Sequence, residues 1–377
     1  MEFDLTWILL GLPLAFVLGW MASRLDLRQL RIENRQAPKA YFRGLNFLLN
    51  EQQDQAIDAF IEAVQNDPDT TELHFALGNL FRRRGEYERA VRVHEHLLSR
   101  ADLSRPDRQR AQHALALDFL KAGLLDRAEE ALRKLQGTAF EGQALLALLA
   151  IYERSRDWVQ ASGAAEKLDA LGQGSFAGRR AHYLCEQATL ATNEEAERLL
   201  RDAAGTAPEA ARPGIELAAL QRRSGDAAAA FRSLASTAQA APASIPLLAR
   251  PLTECARAAA QEPAARQILL ASYERTPTLD VLEALVSLEA DPADARHWYV
   301  RHLEREPSLV AAAKWIAGET LEHEQFHPQI QRALDHAVKP LTRYRCAACG
   351  FEAKQHFWQC PGCQAWDSYP ARRVEEL

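Results

Sequence analysis

Leu5–Ala22 reads LTWILLGLPLAFVLGWMA, an unbroken apolar run without a charged residue. At a helical rise of ~1.5 Å per residue such a run reaches ~27 Å, close to the ~30 Å hydrocarbon core of a bilayer. Trp7 and Trp20 fall near its two ends, where indole rings favour the headgroup zone. Pro13 is compatible with a membrane helix, because the freed carbonyl can be satisfied locally. Glu2 and Asp4 precede the run, and Arg24, Arg28, Arg31, Arg35 and Lys39 follow it. That asymmetry predicts an N-terminus facing out and everything after Arg24 in the cytoplasm. A cleaved signal peptide would start basic and end at an A-x-A-like site, and neither pattern is present. A buried soluble helix gives no reason for the basic flank. The pattern therefore predicts a transmembrane anchor over 1–23 and a basic juxtamembrane linker over 24–36.

Beyond the linker the apolar positions take up a longer repeat. Ala56–Phe60–Ala63–Pro68 and Ala90–His94–Leu97–Asp102 occupy matching places 34 residues apart, as do Gly44 and Gly78, and Phe47 and Phe81. This is the tetratricopeptide period, a helix–turn–helix unit. A small residue at a helix crossing lets two backbones approach, and a large one four positions later fills the space beside it. One unit cannot bury its apolar face, whereas a stack can. The register continues through GLLDRAEEAL with Gly123 and Ala128, then Ala161, then Ala196 and Pro208, then Gly225 and Ala230. From Ala90 onward the alanine steps are 38, 33, 35 and 34 residues. Pro242, Pro277 and Pro307 mark unit ends in a more degenerate stretch, since proline stops the preceding helix. The expectation is an all-α superhelical solenoid of about eight units over 37–318, then a connecting helix over 319–342.

Composition agrees with helix. Across 377 residues the apolar fraction is 47%, enough for most of the chain to fold. Ala, Leu, Glu and Arg are abundant and β-branched residues sparse. The formal net charge of -6 gives no basic footprint for nucleic acid. Arrays of this kind present a concave face lined by the first helix of each pair. That places Asn79, Arg82 and Arg83 of one unit, and His113, Leu117 and Lys121 of the next, on a candidate partner groove. An ordinary solvated face is the competing reading. His74, His94 and His96 fall at different repeat positions and do not suggest a metal.

Metal chemistry is concentrated at the far end. RYRCAACGFEAKQHFWQCPGCQAWDSY carries Cys346, Cys349, Cys360 and Cys363 as C-x2-C-x10-C-x2-C. Each C-x-x-C lets one tight turn aim two thiolates at one ion, and two such knuckles complete a tetrahedral S4 site for one structural ion. Zinc is the first expectation and iron the alternative. Gly350 follows the first pair, and Pro361-Gly362 lies inside the second. About 30 residues build little core. Tyr344, Phe351, Phe357, Trp358 and Trp366 help, and structural zinc can add on the order of 10 kcal/mol of folding free energy. Four thiolates close the coordination sphere, so hydrolytic chemistry has no open position, and His356 is superfluous as a fifth ligand. Basic Arg343, Arg345, Lys354, Arg372 and Arg373 nearly balance acidic Glu352, Asp367, Glu375 and Glu376, which argues against a DNA-reading ribbon. The module is assigned to 343–377. Cys185 and Cys255 stand alone in helical patterns and read as small core residues. No Walker loop, G-x-S-x-G, H-E-x-x-H or dinucleotide fingerprint occurs, so no catalytic residue is assigned and an enzyme is not expected.

The stretches YFRGLNFLLNEQQDQAIDAFIEAV, LHFALGNLFRRRGEYERAVRVHEHLL, FLKAGLLDRAEEAL and YRCAACGF with FWQCPGCQAW together resemble the lipopolysaccharide assembly protein B family of Gram-negative bacteria. The resemblance runs over essentially the whole chain and is sharpest at 38–135 and 343–369. It implies a single-pass protein of the cell inner membrane, with a periplasmic N-terminus and a cytoplasmic body. It carries the metal ligands directly onto the four C-terminal cysteines. It also implies an adaptor role, in which an FtsH-type membrane protease degrades the deacetylase that commits precursor to lipid A. A rubredoxin-like module packed back on the repeats, with both parts required, belongs to the same implication. The alternative is a scaffold that gathers other inner-membrane lipopolysaccharide synthesis and transport proteins without proteolysis. An iron electron carrier is a third and weaker reading. The sequence sets no oligomeric state.

Overall fold

A computed structural model describes residues 15–21, 39–40, 42–66, 70–320 and 324–377. Most of the expected anchor and all of the juxtamembrane linker lie outside the described residues. Among the described residues no helix is long and apolar enough to cross a membrane.

The described residues form two compact units, one ending at Ile151 and one beginning at Tyr152. In the first, helical residues 42–49 precede α1 (Gln53–Asn66), α2 (Thr71–Arg84), α3 (Tyr87–Ser99), α4 (Arg105–Ala122), α5 (Leu125–Arg133) and the start of α6 (Glu141–Ser155). The chain reverses between paired helices at Gly85 and Gly123, whose φ values of 84° and 77° lie in the left-handed region that glycine reaches without strain. Ser104 caps α4 by accepting from the Asp107 N–H, with Pro106 just inside the helix. The core joins Ala56, Ile57, Phe60 and Ala63 of α1 to Leu73, Leu77, Leu80 and Phe81 of α2 and Ala90 of α3.

The second unit holds the end of α6 and α7 (Trp158–Ala170), α8 (Ala177–Ala188), α9 (Asn193–Thr206), α10 (Ala211–Arg223), α11 (Ala227–Ala240), α12 (Ile245–Ala258) and α13 (Glu262–Arg275). It continues with α14 (Leu279–Leu288), α15 (Pro292–Arg305), α16 (Leu309–Ala317) and α17 (His327–Val338). Each helix packs mainly on its sequence neighbours, the arrangement of a tetratricopeptide-like repeat. One apolar core runs from Ala218 on α10 to Val310 and Ala311 on α16. Pro277 and Pro307 sit in the turns before α14 and α16, and Pro242 opens a short 3-10 turn before α12. The repeat alanines 56, 90, 128, 161, 196 and 230 are all buried, as helix crossings require, and the structure adds buried Ala265 on α13. Where a single connecting helix is expected over 319–342, α16 ends at Ala317 and α17 begins at His327. α17 buries none of its residues.

Among the described residues, strands occur only in the C-terminal module. β1 (Tyr344–Arg345) pairs antiparallel with β2 (Glu352–Ala353), Tyr344 opposite Ala353 and Arg345 opposite Glu352. The body is helical and the module is a small ribbon.

Candidate metal centre

The two C-x-x-C segments fold into matching knuckles. In the first, the Cys346 N–H donates to Phe351 O at 2.9 Å and the Gly350 N–H to Cys346 O at 2.9 Å. In the second, the Cys360 N–H donates to Ala365 O at 2.9 Å and the Gln364 N–H to Cys360 O at 2.8 Å. Both turns need a left-handed residue four places after the leading cysteine. Gly350 supplies it at φ 78° and Gln364 at φ 63°. The glycine of the first knuckle was legible in the sequence, and the glutamine of the second was not.

This geometry brings the four sulfurs within 4.8 Å of one another. Cys346 Sγ lies 3.8 Å from Cys363 Sγ, and Cys349 Sγ lies 3.7 Å from Cys360 Sγ. A tetrahedron with metal–sulfur bonds of ~2.3 Å has edges of ~3.8 Å, so the spacing fits one zinc- or iron-sized ion. The electrostatics fit as well. The Ser368 hydroxyl, 3.3 Å away, together with the backbone N–H groups of Cys349 and Ala348, pulls the Cys346 thiol down to about 6. Burial works against ionisation of Cys360, yet the Cys363 and Gly362 N–H groups hold it below the usual thiol range. The Phe351 N–H lowers Cys349, but burial and the three neighbouring sulfurs outweigh it and push that thiol up to about 12. A set that stabilises some thiolates while their mutual crowding opposes a fourth is one that a divalent cation completes. The four cysteines thus form a rubredoxin-like metal site. When bound, the ion neutralises and crosslinks the two knuckles. His356 stays out of the sulfur cluster, its Nε2 3.0 Å from Tyr369 O.

The ribbon is seated on the repeats of its own unit through contacts that the cysteine spacing does not mark. Trp366 stacks on His182 of α8 at 4.8 Å between ring centroids and meets Trp158 and Tyr183 edge-on. Its Nε1–H donates to Glu153 Oε1 at 3.0 Å. The next residue, Asp367, accepts from His182 Nε2 at 2.8 Å. On the other side, Arg373 donates to both oxygens of Asp280 on α14, at 2.6 and 2.8 Å, and covers the Tyr344 ring at 4.2 Å. The terminal carboxylates then cap two repeat helices. Glu376 accepts from the Leu279 N–H at 2.7 Å. Glu375 accepts from the Leu309 N–H at 2.6 Å and the Ser308 hydroxyl at 2.7 Å. Carboxylates at helix N-termini satisfy orphan donors and meet the positive end of the dipole.

The candidate groove residues are placed in the first unit. Arg82 is drawn inward, donating to Asp118 at 2.8 Å and to the Ala114 carbonyl at 3.1 Å, and it also holds Asn79. His94 Nδ1 lies 2.5 Å from the other oxygen of Asp118. Arg83 and Lys121 are exposed, while His113 is half-buried and stacked on Phe140 at 4.9 Å. Burial lowers the His113 imidazole below its ordinary range, with Arg82 adding to the effect. Cys185 and Cys255 are buried thiols that burial pushes up, as expected of inert core residues.

Residues 344–369 match a family described as a rubredoxin metal binding domain. Over 98% of its length the chain is 32% identical to lipopolysaccharide assembly protein B of Escherichia coli strain K12, covering 99% of that protein. The protein of the same name from Haemophilus influenzae is 27% identical over 96% of both chains. Among solved structures, a tetratricopeptide repeat protein from Parabacteroides merdae aligns over 67% of this chain and 98% of its own, at 15% identity and a TM-score of 0.35.

Proposed function

Since the chain belongs to the lipopolysaccharide assembly protein B family, we propose that it is a non-enzymatic adaptor in lipopolysaccharide assembly. The observation that carries the reading is the seating of a metal-folded ribbon on helical repeats. Such a body offers a surface for clients, and among the described residues it holds no open metal position and no assembled nucleophile. In this reading Leu5–Ala22 is the anchor in the inner membrane and the repeats face the cytoplasm. The client is the deacetylase that commits precursor to lipid A, presented to an FtsH-type protease. The metal is zinc and its role is structural: it holds the ribbon that holds the repeat surface.

The test replaces Cys346 by Ser in the full chain and follows both metal content and the client. Wild-type protein should purify colourless with one zinc per chain. Cys346→Ser should lose the ion and lengthen the half-life of the deacetylase in cells. An unchanged half-life, with altered co-purification of other lipopolysaccharide proteins, would replace the adaptor by a non-proteolytic scaffold. A red, reversibly reducible protein would replace zinc by iron.

A further inference from the structure

A cavity of about 520 Å³ opens in the second unit where α14 and α16 meet the end of α17 and the ribbon. Five cationic side chains line it against two carboxylates. Both carboxylates are already neutralised: Arg373 forks onto Asp280, and Lys314 pairs with Glu283. Among the described residues Arg343 pairs with Glu352 alone, at 3.7 Å, and Arg345 holds the other oxygen of that carboxylate at 2.7 Å. Lys339 and Lys354 have no carboxylate partner among the described residues. Two cations without a carboxylate partner there, Lys339 and Lys354, and Arg343, which shares its carboxylate with Arg345, therefore converge from three separate segments: the end of α17, the turn after β2 and the approach to β1.

Like charges gathered in a concavity repel one another unless an anion joins them. A solvated basic face would spread its charges over a convex surface, whereas these exposed and half-exposed side chains rim one concave opening of the size that takes small ligands. Its floor is part apolar, through Leu279 and Val310, and the Thr342 hydroxyl adds a polar group. Lysine heads act as point charges and suit the oxygens of a phosphate group. An extended acidic peptide would need an open groove instead.

We propose that this cavity is a binding site for a phosphate-bearing ligand, a phosphomonoester or diphosphate held by Lys339, Arg343 and Lys354. Its walls come from both the repeats and the ribbon, so an occupant would bridge the two and favour the docked state. The proposal does not depend on the role in lipopolysaccharide assembly. The phosphate can belong to a soluble molecule or to a lipid headgroup.

The test is calorimetric titration of the full, metal-loaded chain in neutral detergent at low salt. One arm uses inorganic pyrophosphate and the other uses phosphatidic acid in neutral-detergent micelles. Saturable one-to-one binding is expected in at least one arm. Pyrophosphate binding assigns a soluble source, and binding to the micelles alone assigns a headgroup. The Lys339→Gln/Lys354→Gln double variant should weaken that binding about tenfold or more. The exposed-lysine control Lys134→Gln/Lys167→Gln should change it less than about twofold. Far-UV circular dichroism of both variants should match wild type, since these lysines make no core contact. The proposal is overturned by absence of saturable binding in both arms. Equal weakening by the control pair, or binding of a polyglutamate peptide in place of either phosphate probe, would also overturn it.

Discussion

A Cβ placed on Gly78 would lie 2.5 Å from Nε2 of His94, and one on Gly44 would lie 2.9 Å from the ring of Phe60. Each of these glycines lets a first helix close onto a large side chain of its partner. In these two units the large residue at the fourth place after the repeat alanine therefore does more than fill space beside that alanine: it is received by a glycine in the facing helix. At Gly78 the received ring is a buried histidine, held by Asp118, which also holds Arg82. Gly78→Ala must move that ring and disturb the buried ion pair, and a loss of ~1–3 kcal/mol is expected. Gly163, within α7, has open space where its Cβ would stand. Gly163→Ala should instead gain up to ~1 kcal/mol of helix propensity. Chemical denaturation of the two variants checks the opposite signs. Two losses of equal size would mean that close approach is not what selects glycine at 78.

At the scale of elements, the ribbon is held on α8 by the Trp366 ring and the Asp367–His182 bond, and on α14 by a forked ion pair and the Glu376 cap. Trp366 is the larger contributor, because it combines ring packing on three aromatic side chains with a hydrogen bond to Glu153. Trp366→Ala should weaken the seat by roughly 2–4 kcal/mol. Trypsin should then cut within 343–377 at concentrations that leave wild type intact, with repeat helicity unchanged. Equal resistance of the two proteins would show that the anchor lies elsewhere. The elements were legible in the sequence because their signals are local. A 34-residue step fixes which alanines are buried, and two C-x-x-C pairs fix which sulfurs meet. That the module packs back on the repeats was implied by the family resemblance, but the residue pairs that seat it were not legible. His182 and Asp367 are 185 residues apart, and Glu153 and Trp366 are 213 apart. No periodicity links such partners, and only the folded path of the repeats brings them together. The partner of Arg82 was hidden for a related reason. Its position on a first helix suggested a partner-facing side chain, and a buried carboxylate one unit away holds it. Nothing in the repeat pattern singles out Asp118.

At the scale of the whole molecule, the metal module acts as a clamp along the repeats of its own unit, touching α8, α12, α14 and α16. Tyr344, Tyr369 and Phe357 pack with Leu247 of α12, and the chain's final carboxylates cap α14 and α16. The ion therefore stabilises more than the residues that bind it. Hydrogen exchange by mass spectrometry on the full chain, before and after chelation of the metal, tests this most directly. Faster exchange is expected across 344–369 and also at the starts of α14 and α16, around Leu279, Leu309 and Val310. The helices α9–α11 should remain protected. Acceleration confined to 343–377 would contradict the account, because the ribbon would then be an appendage whose folding the repeats do not feel.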